Sequence, residues 1–123
     1  MTASYQSATF VPDRLVAGNA DELIGRKVTI PAGQNLVRGT VLGKITGTEK
    51  YPLSLSDATD GSEVVDLILA EDCDATLGDK QAIAYERGDF IQEALTIGTG
   101  HTAASIKEVL RGKGIFLISS VGA

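Results

Sequence analysis

The chain has 123 residues, 43% of them hydrophobic, a formal net charge of −5 and one cysteine. That size suits a single domain able to bury a core without staples, and the lone Cys73 excludes an internal disulfide and fits a reducing compartment. The acidic balance, the absence of Trp and a total of three Phe and three Tyr argue against a nucleic-acid surface. No apolar run is long enough to cross a membrane, and no basic stretch leads into an apolar one at the N-terminus, so neither a membrane span nor a signal peptide is expected.

Residues 1–20 hold small and polar side chains with isolated Tyr5, Phe10 and Val11 and sustain no helical or strand period. They read as an extended arm ahead of one β domain, residues 21–123. Asn19 to Glu22 predicts at most one helical turn, ending at Gly25, too short to stand alone.

From Arg26 the pattern turns to strands, and the fourteen glycines imply many turns. Val28 and Ile30 alternate on one face until Pro31 stops the strand. Residues 32–39 read as loop and turn. Val41, Gly43 and Ile45 alternate with Leu42, Lys44 and Thr46 in the next strand. Leu53 and Leu55 are expected on one face, followed by a turn at Thr59-Asp60-Gly61, where glycine supplies a positive φ. The run from Val64 to Ala70 is short and nearly all apolar, which predicts the central buried strand. Residues 73–80 read as an acidic loop. Residues 81–97 suggest a hairpin, with Ile83 and Tyr85 on one arm, the turn at Glu86-Arg87-Gly88-Asp89, and Phe90 on the return. Thr102 is an N-cap for a helix in which Ala103, Ile106 and Leu110 share a face beside Val109, and Gly112 and Gly114 end it. A last strand from Ile115 is expected against the central one.

Few residues offer chemistry. His101, the one histidine, is the only base available to a serine or cysteine nucleophile, with Asp79 or Glu108 as its candidate orienting carboxylate. It lies in a Gly-rich loop that lacks the lysine of a phosphate-binding loop and the third glycine of a dinucleotide fingerprint. An exposed residue beside a helix cap is the plainer reading. Glu71, Asp72, Asp74 and Asp79 supply oxygen ligands without the glycine and glutamate spacing of a calcium loop, so solvated loop charge is expected there. Cys73 has no second thiol or imidazole nearby for zinc. Arg87-Gly88-Asp89 spells an adhesion tripeptide, but Gly-Asp at a hairpin tip has its own turn chemistry. Lys44, between Gly43 and Ile45 in a strand, does not fit a biotinyl or lipoyl carrier. No arrangement supports catalysis, and no metal or cofactor is expected.

Asp60-Gly61 in a turn, VVDLILAEDCDAT as buried strand and acidic loop, AYERGDFIQEALT, and a helix followed by GIFLISS occur here in one order and spacing. Together they resemble the head decoration proteins of lambda-like bacteriophages over about two thirds of the chain, and VTIPAGQNLVRGTVLGKITGT is typical of the longer members. The resemblance implies a mainly β, β-clip-like fold of α+β character, with one short C-terminal helix and a flexible N-terminal arm. It implies a virion structural protein rather than an enzyme, made in the host bacterial cytoplasm. Such a protein sits on the outer capsid surface as homotrimers at local three-fold axes. There it clamps the major capsid protein against the pressure of packaged DNA. The arm would then dock on the capsid by strand addition, with Tyr5, Phe10, Val11 and Pro12 as its contacts. Two other classes stand beside this one: a small-ligand or carbohydrate-binding β domain, which the lack of Trp disfavours, and an enzyme built on His101.

Overall fold

The computed structural model describes residues 15–17 and 23–119. The fold is mainly β. It consists of β1 (Ile24–Ile30), β2 (Asn35–Leu36), β3 (Val41–Gly43), β4 (Val65–Leu69), β5 (Cys73–Asp74), β6 (Lys80–Ile91), a 3₁₀ turn (Gln92–Ala94), α1 (Ala103–Arg111) and β7 (Ile115–Ile118). The strands β1, β6, β4 and β3 form an antiparallel sheet in that order, and β7 joins the C-terminal end of β6 in parallel.

The nearly continuous apolar character of β4, interrupted only by Asp66, follows from burial on both faces. Leu67 and Leu69 pack with Val28, Ile30, Leu42, Ala82 and Ala84, whereas Ile68 packs on the other side with Phe90, Ile106, Leu110 and Ile115. A strand covered on one face alone would alternate. The expected central strand is therefore present, as is the expected Val28/Ile30 face of β1, both buried. Helix α1 also forms as its sequence predicts. Thr102 Oγ1 accepts from the Ser105 N–H at 3.1 Å and Ser105 Oγ accepts from the Thr102 N–H at 2.9 Å. Such a cap contributes about 1 kcal/mol. Ile106 and Leu110 bury, and Gly112 closes the helix.

Five expectations are corrected or refined. Residues 81–97 contain no hairpin: Lys80 to Ile91 is one strand of 12 residues. Its first part lies between β1 and β4, and its last part, from Gly88, pairs with β7. Gly88 marks this change of partner. Its φ is +147°, and a Cβ there would sit 2.5 Å from Leu23 Cδ2 and 3.2 Å from the Phe90 ring. The glycine thus serves close packing within a strand. Arg87-Gly88-Asp89 accordingly lies inside β6 and at no tip. Second, β7 takes its ladder hydrogen bonds from β6, and it meets the central strand β4 through the core, where Ile115 and Leu117 share a cluster with Val65 and Ile68. The helix between β6 and β7 is a crossover, which a parallel pair requires. Third, Leu53 and Leu55 do not share a buried face. Ser54 is fully buried and Leu55 exposed, because the Ser54 N–H donates to the Val41 carbonyl and its hydroxyl turns inward. Fourth, the two segments read as loops, 32–39 and 73–80, contribute the paired strands β2 and β5. Fifth, Gly25, expected at the end of a helical turn, lies within β1, facing Tyr85 of β6; Asn19 to Glu22 lie outside the described residues.

Candidate interaction surface

The candidate catalytic residues are not assembled. His101 Nε2 lies 3.1 Å from Ser54 Oγ, a pairing across 47 residues that no local pattern predicts. Ser54 donates its only proton to the Ser62 carbonyl at 2.6 Å, so its oxygen accepts from the imidazole. A serine nucleophile needs the opposite arrangement, with the imidazole taking the proton. Ser54 is also wholly buried, out of reach of a substrate. Asp79 is held instead by Lys50 Nζ at 2.6 Å, and Glu108 by Arg111 on the same helix at 3.4 Å. The Gly-rich loop before α1 is shaped by contact rather than by a ligand. A Cβ on Gly98 would lie 2.0 Å from the Ser54 carbonyl oxygen.

The acidic residues, expected as solvated charge, turn out to hold loops. Glu71 accepts from the Ile83 N–H at 2.9 Å, Asp72 from the Arg38 N–H at 2.8 Å, Asp74 from the Thr76 N–H at 3.1 Å and Asp79 from the Ala32 N–H at 2.9 Å. Among the described residues no group of three or more acidic, His or Cys side chains is placed to hold a metal ion. Cys73 is buried. A surface cleft of about 450 Å³ is lined by Arg26, Asp66, Glu86, Arg87 and Lys113. Arg26 pairs with Glu86 and Lys113 with Asp66 across it, and among the described residues no aromatic ring lines it for a sugar to stack on.

Hydrogen bonding of this kind shifts the titration of three carboxyls. The side-chain hydrogen bonds from Ser62, Thr76 and Lys50 hold the carboxyls of Asp60, Asp74 and Asp79 below their ordinary value of 3.8. A lowered carboxyl value stabilises the fold above 3.8, and that contribution is lost as pH falls through the lowered values. Burial raises the Cys73 thiol above 9.0 and the Tyr51 hydroxyl above 10.0. Their contribution is complete below those values and is lost as pH rises beyond them. Thermal melts are therefore expected to lose stability from these groups below about pH 4 and above about pH 9. Asp79→Asn should blunt the acid limb, and an acid limb unchanged by that substitution would contradict this assignment.

What the surface does offer is a place where the N-terminal segment enters. Tyr5, Phe10, Val11 and Pro12 lie outside the described residues. Leu15 to Ala17, which sequence assigns to the arm, lies on the body. Val16 bridges Phe90, the Ala17 N–H donates to the Asp89 carbonyl at 2.9 Å, and the Ile91 N–H donates to the Leu15 carbonyl at 2.7 Å. Leu15 is 1% exposed and joins the cluster around Phe90. No local signal distinguishes this docked pair, Leu15-Val16, from Phe10-Val11 five residues earlier. Residues 15–17, the end of β6 and β7 thus form one three-stranded layer. On β7, Ile115 and Leu117 point into the core and Phe116 and Ile118 point out, each 43% exposed.

The sequence profile of the family described as bacteriophage lambda head decoration protein D matches residues 4–115 of the chain. No curated protein matches it.

Proposed function

We propose a capsid-clamping function from one premise: the chain belongs to the bacteriophage lambda head decoration protein D family. It is a phage head decoration protein, a structural component of the virion capsid. In the reading offered here it binds the outside of the expanded head as a homotrimer at local three-fold axes, contacts the major capsid protein, and stabilises the shell against packaged DNA. The observation that carries the reading is the anchoring of Leu15–Ala17 beside the end of β6. The residues ahead of that anchor, including Tyr5, Phe10, Val11 and Pro12, start from a defined point on a folded body and carry no charged side chain before Asp13. An uncharged segment rich in Thr, Tyr, Phe and Val suits strand addition to an edge on the capsid. Three such arms on one trimer would act together, raising the apparent affinity by about 10² to 10⁴ over one arm.

The test is sedimentation of the protein with expanded, undecorated heads of its phage. Saturation near one copy per major capsid subunit is expected, together with a trimeric mass by light scattering. Absence of saturable binding would overturn the reading.

A further inference from the structure

We infer that Asp60-Gly61 is a covalent modification site: the linkage rearranges through a cyclic succinimide to isoaspartate when its turn opens, and the folded turn holds it closed. The inference stands independently of the capsid-bound reading. Asp60-Gly61 is the one Asp-Gly pair in the sequence, which has no Asn-Gly pair. Glycine makes such a linkage labile, because no side chain shields its nitrogen and its backbone turns freely. In the rearrangement the Gly61 nitrogen attacks Cγ of Asp60. An N–Cγ bond forms, a Cγ–O bond breaks, and the carboxyl hydroxyl leaves with the amide proton as water. Water then reopens the ring at either carbonyl. Opening at Cγ restores aspartate. Opening at the main-chain carbonyl leaves the chain running through Cγ, one methylene longer and unchanged in mass.

The folded turn opposes the first step at each reacting group. Asp60 Oδ1 accepts from the Ser62 N–H at 3.0 Å and from the Ser62 hydroxyl at 2.6 Å. These bonds draw the carboxylate forward to Ser62 and favour its ionised form, which has no hydroxyl to lose. The Asp60 carbonyl accepts the Thr46 N–H at 2.8 Å, which fixes the backbone on the other side. Attack requires the Asp60 side chain to swing back over the Gly61 nitrogen, and that breaks both bonds to Ser62. The Gly61 N–H itself donates to Glu63 Oε1 at 2.9 Å. A carboxylate there is also a base for that proton, yet an ionised Asp60 offers the nitrogen no electrophile, so the arrangement restrains the reaction.

Packing explains both why the labile pair is present and why its product does not fit. Gly61 has φ +104°, and a Cβ there would collide with Thr46 Oγ1, so the position requires glycine. Next to it, Ser62 is buried. Its carbonyl accepts the Ser54 hydroxyl at 2.6 Å and lies so close to Gly43 of β3 that a Cβ on Gly43 would collide with it. One further methylene between Asp60 and Gly61 would push Ser62 off both contacts. Isoaspartate therefore forms in the unfolded chain and bars that chain from refolding, which turns time spent unfolded into permanent loss.

The test holds the full-length chain for weeks at neutral pH, native and in urea, and measures isoaspartate at residue 60 by peptide mapping. The native chain should react at least about tenfold more slowly, since each of the two bonds to Ser62 restrains the side chain about fivefold. That comparison needs no variant. Native Ser62→Ala, which keeps the backbone N–H, should react about fivefold faster than the native unmodified chain. Glu63→Gln, which keeps an acceptor for the Gly61 N–H and removes the base, should leave the native rate unchanged. After removal of urea, chains carrying isoaspartate should show no cooperative melt. Equal rates in the two states, or no isoaspartate in urea, would overturn the inference. A slower native reaction in Glu63→Gln would overturn the restraining role in favour of base catalysis by Glu63. Isomerised chains that regain the native melting temperature would show that the turn accepts the extra methylene, against the inference.

Discussion

A chain shortened to begin at Arg14 is expected to melt where the full chain melts and to leave expanded heads undecorated. The cut removes Tyr5, Phe10, Val11 and Pro12 while keeping Leu15, which is buried, and the backbone bonds of Leu15 and Ala17 to β6. The folded body therefore keeps every described contact. Binding loses the linked arms, and with them about 10² to 10⁴ in apparent affinity, enough to turn saturation into no detectable sedimentation. The position of the cut decides whether the result can be read. Removal of Leu15 as well would empty a core site, and deletion of a buried leucine side chain costs about 2–5 kcal/mol. Lost binding would then mean only a loosened fold. The measurement pairs a melting curve with sedimentation. A truncated chain that still saturates heads would transfer the anchoring role from the arm to the body.

Phe90→Ala should be the most damaging single truncation in the body, at about 3–5 kcal/mol by urea denaturation. Phe90 is fully buried, and its ring lies 5.3 Å from that of Tyr85. It also occupies the middle of the three-stranded layer, opposite Val16 on one side and Leu117 on the other. Its removal leaves a void where the arm root, β6 and β7 converge on Ile106 and Leu110 of the helix. Domains of this size hold about 5–15 kcal/mol in total, so the variant should be partly unfolded under mild denaturant. A cost below about 1 kcal/mol would show that this cluster is not what holds the layer together.

Elements governed by neighbours in sequence were legible in advance. Thr102 caps α1 because its partner Ser105 is three residues away, and Ile106 and Leu110 share a helix face by spacing alone. The Val28/Ile30 alternation and the mostly apolar Val65–Leu69 run likewise declare one-sided and two-sided burial within a few residues. The family resemblance was legible for a related reason. It rests on the order and spacing of such local patterns over about two thirds of the chain, and the family profile matches more widely, over residues 4–115.

Partner choice across the fold was not legible. Residues 81–97 hold the glycine and the alternation of a hairpin, yet Lys80 to Ile91 stays extended, because β1, β4 and β7 each supply hydrogen bonds along its length and no second arm is needed. Ser54 turns inward, against its hydropathy, because the Ser62 carbonyl and His101, 8 and 47 residues away, satisfy its hydroxyl. Leu15-Val16 docks with nothing in its own composition to announce it. Sequence by itself determined the helix, the buried face of β1, the central strand and which family the chain resembles, since propensity, capping and periodicity act over three or four residues. Only the tertiary structure decided which strands pair with which, since that depends on hydrogen bonds and packing between segments far apart in the chain.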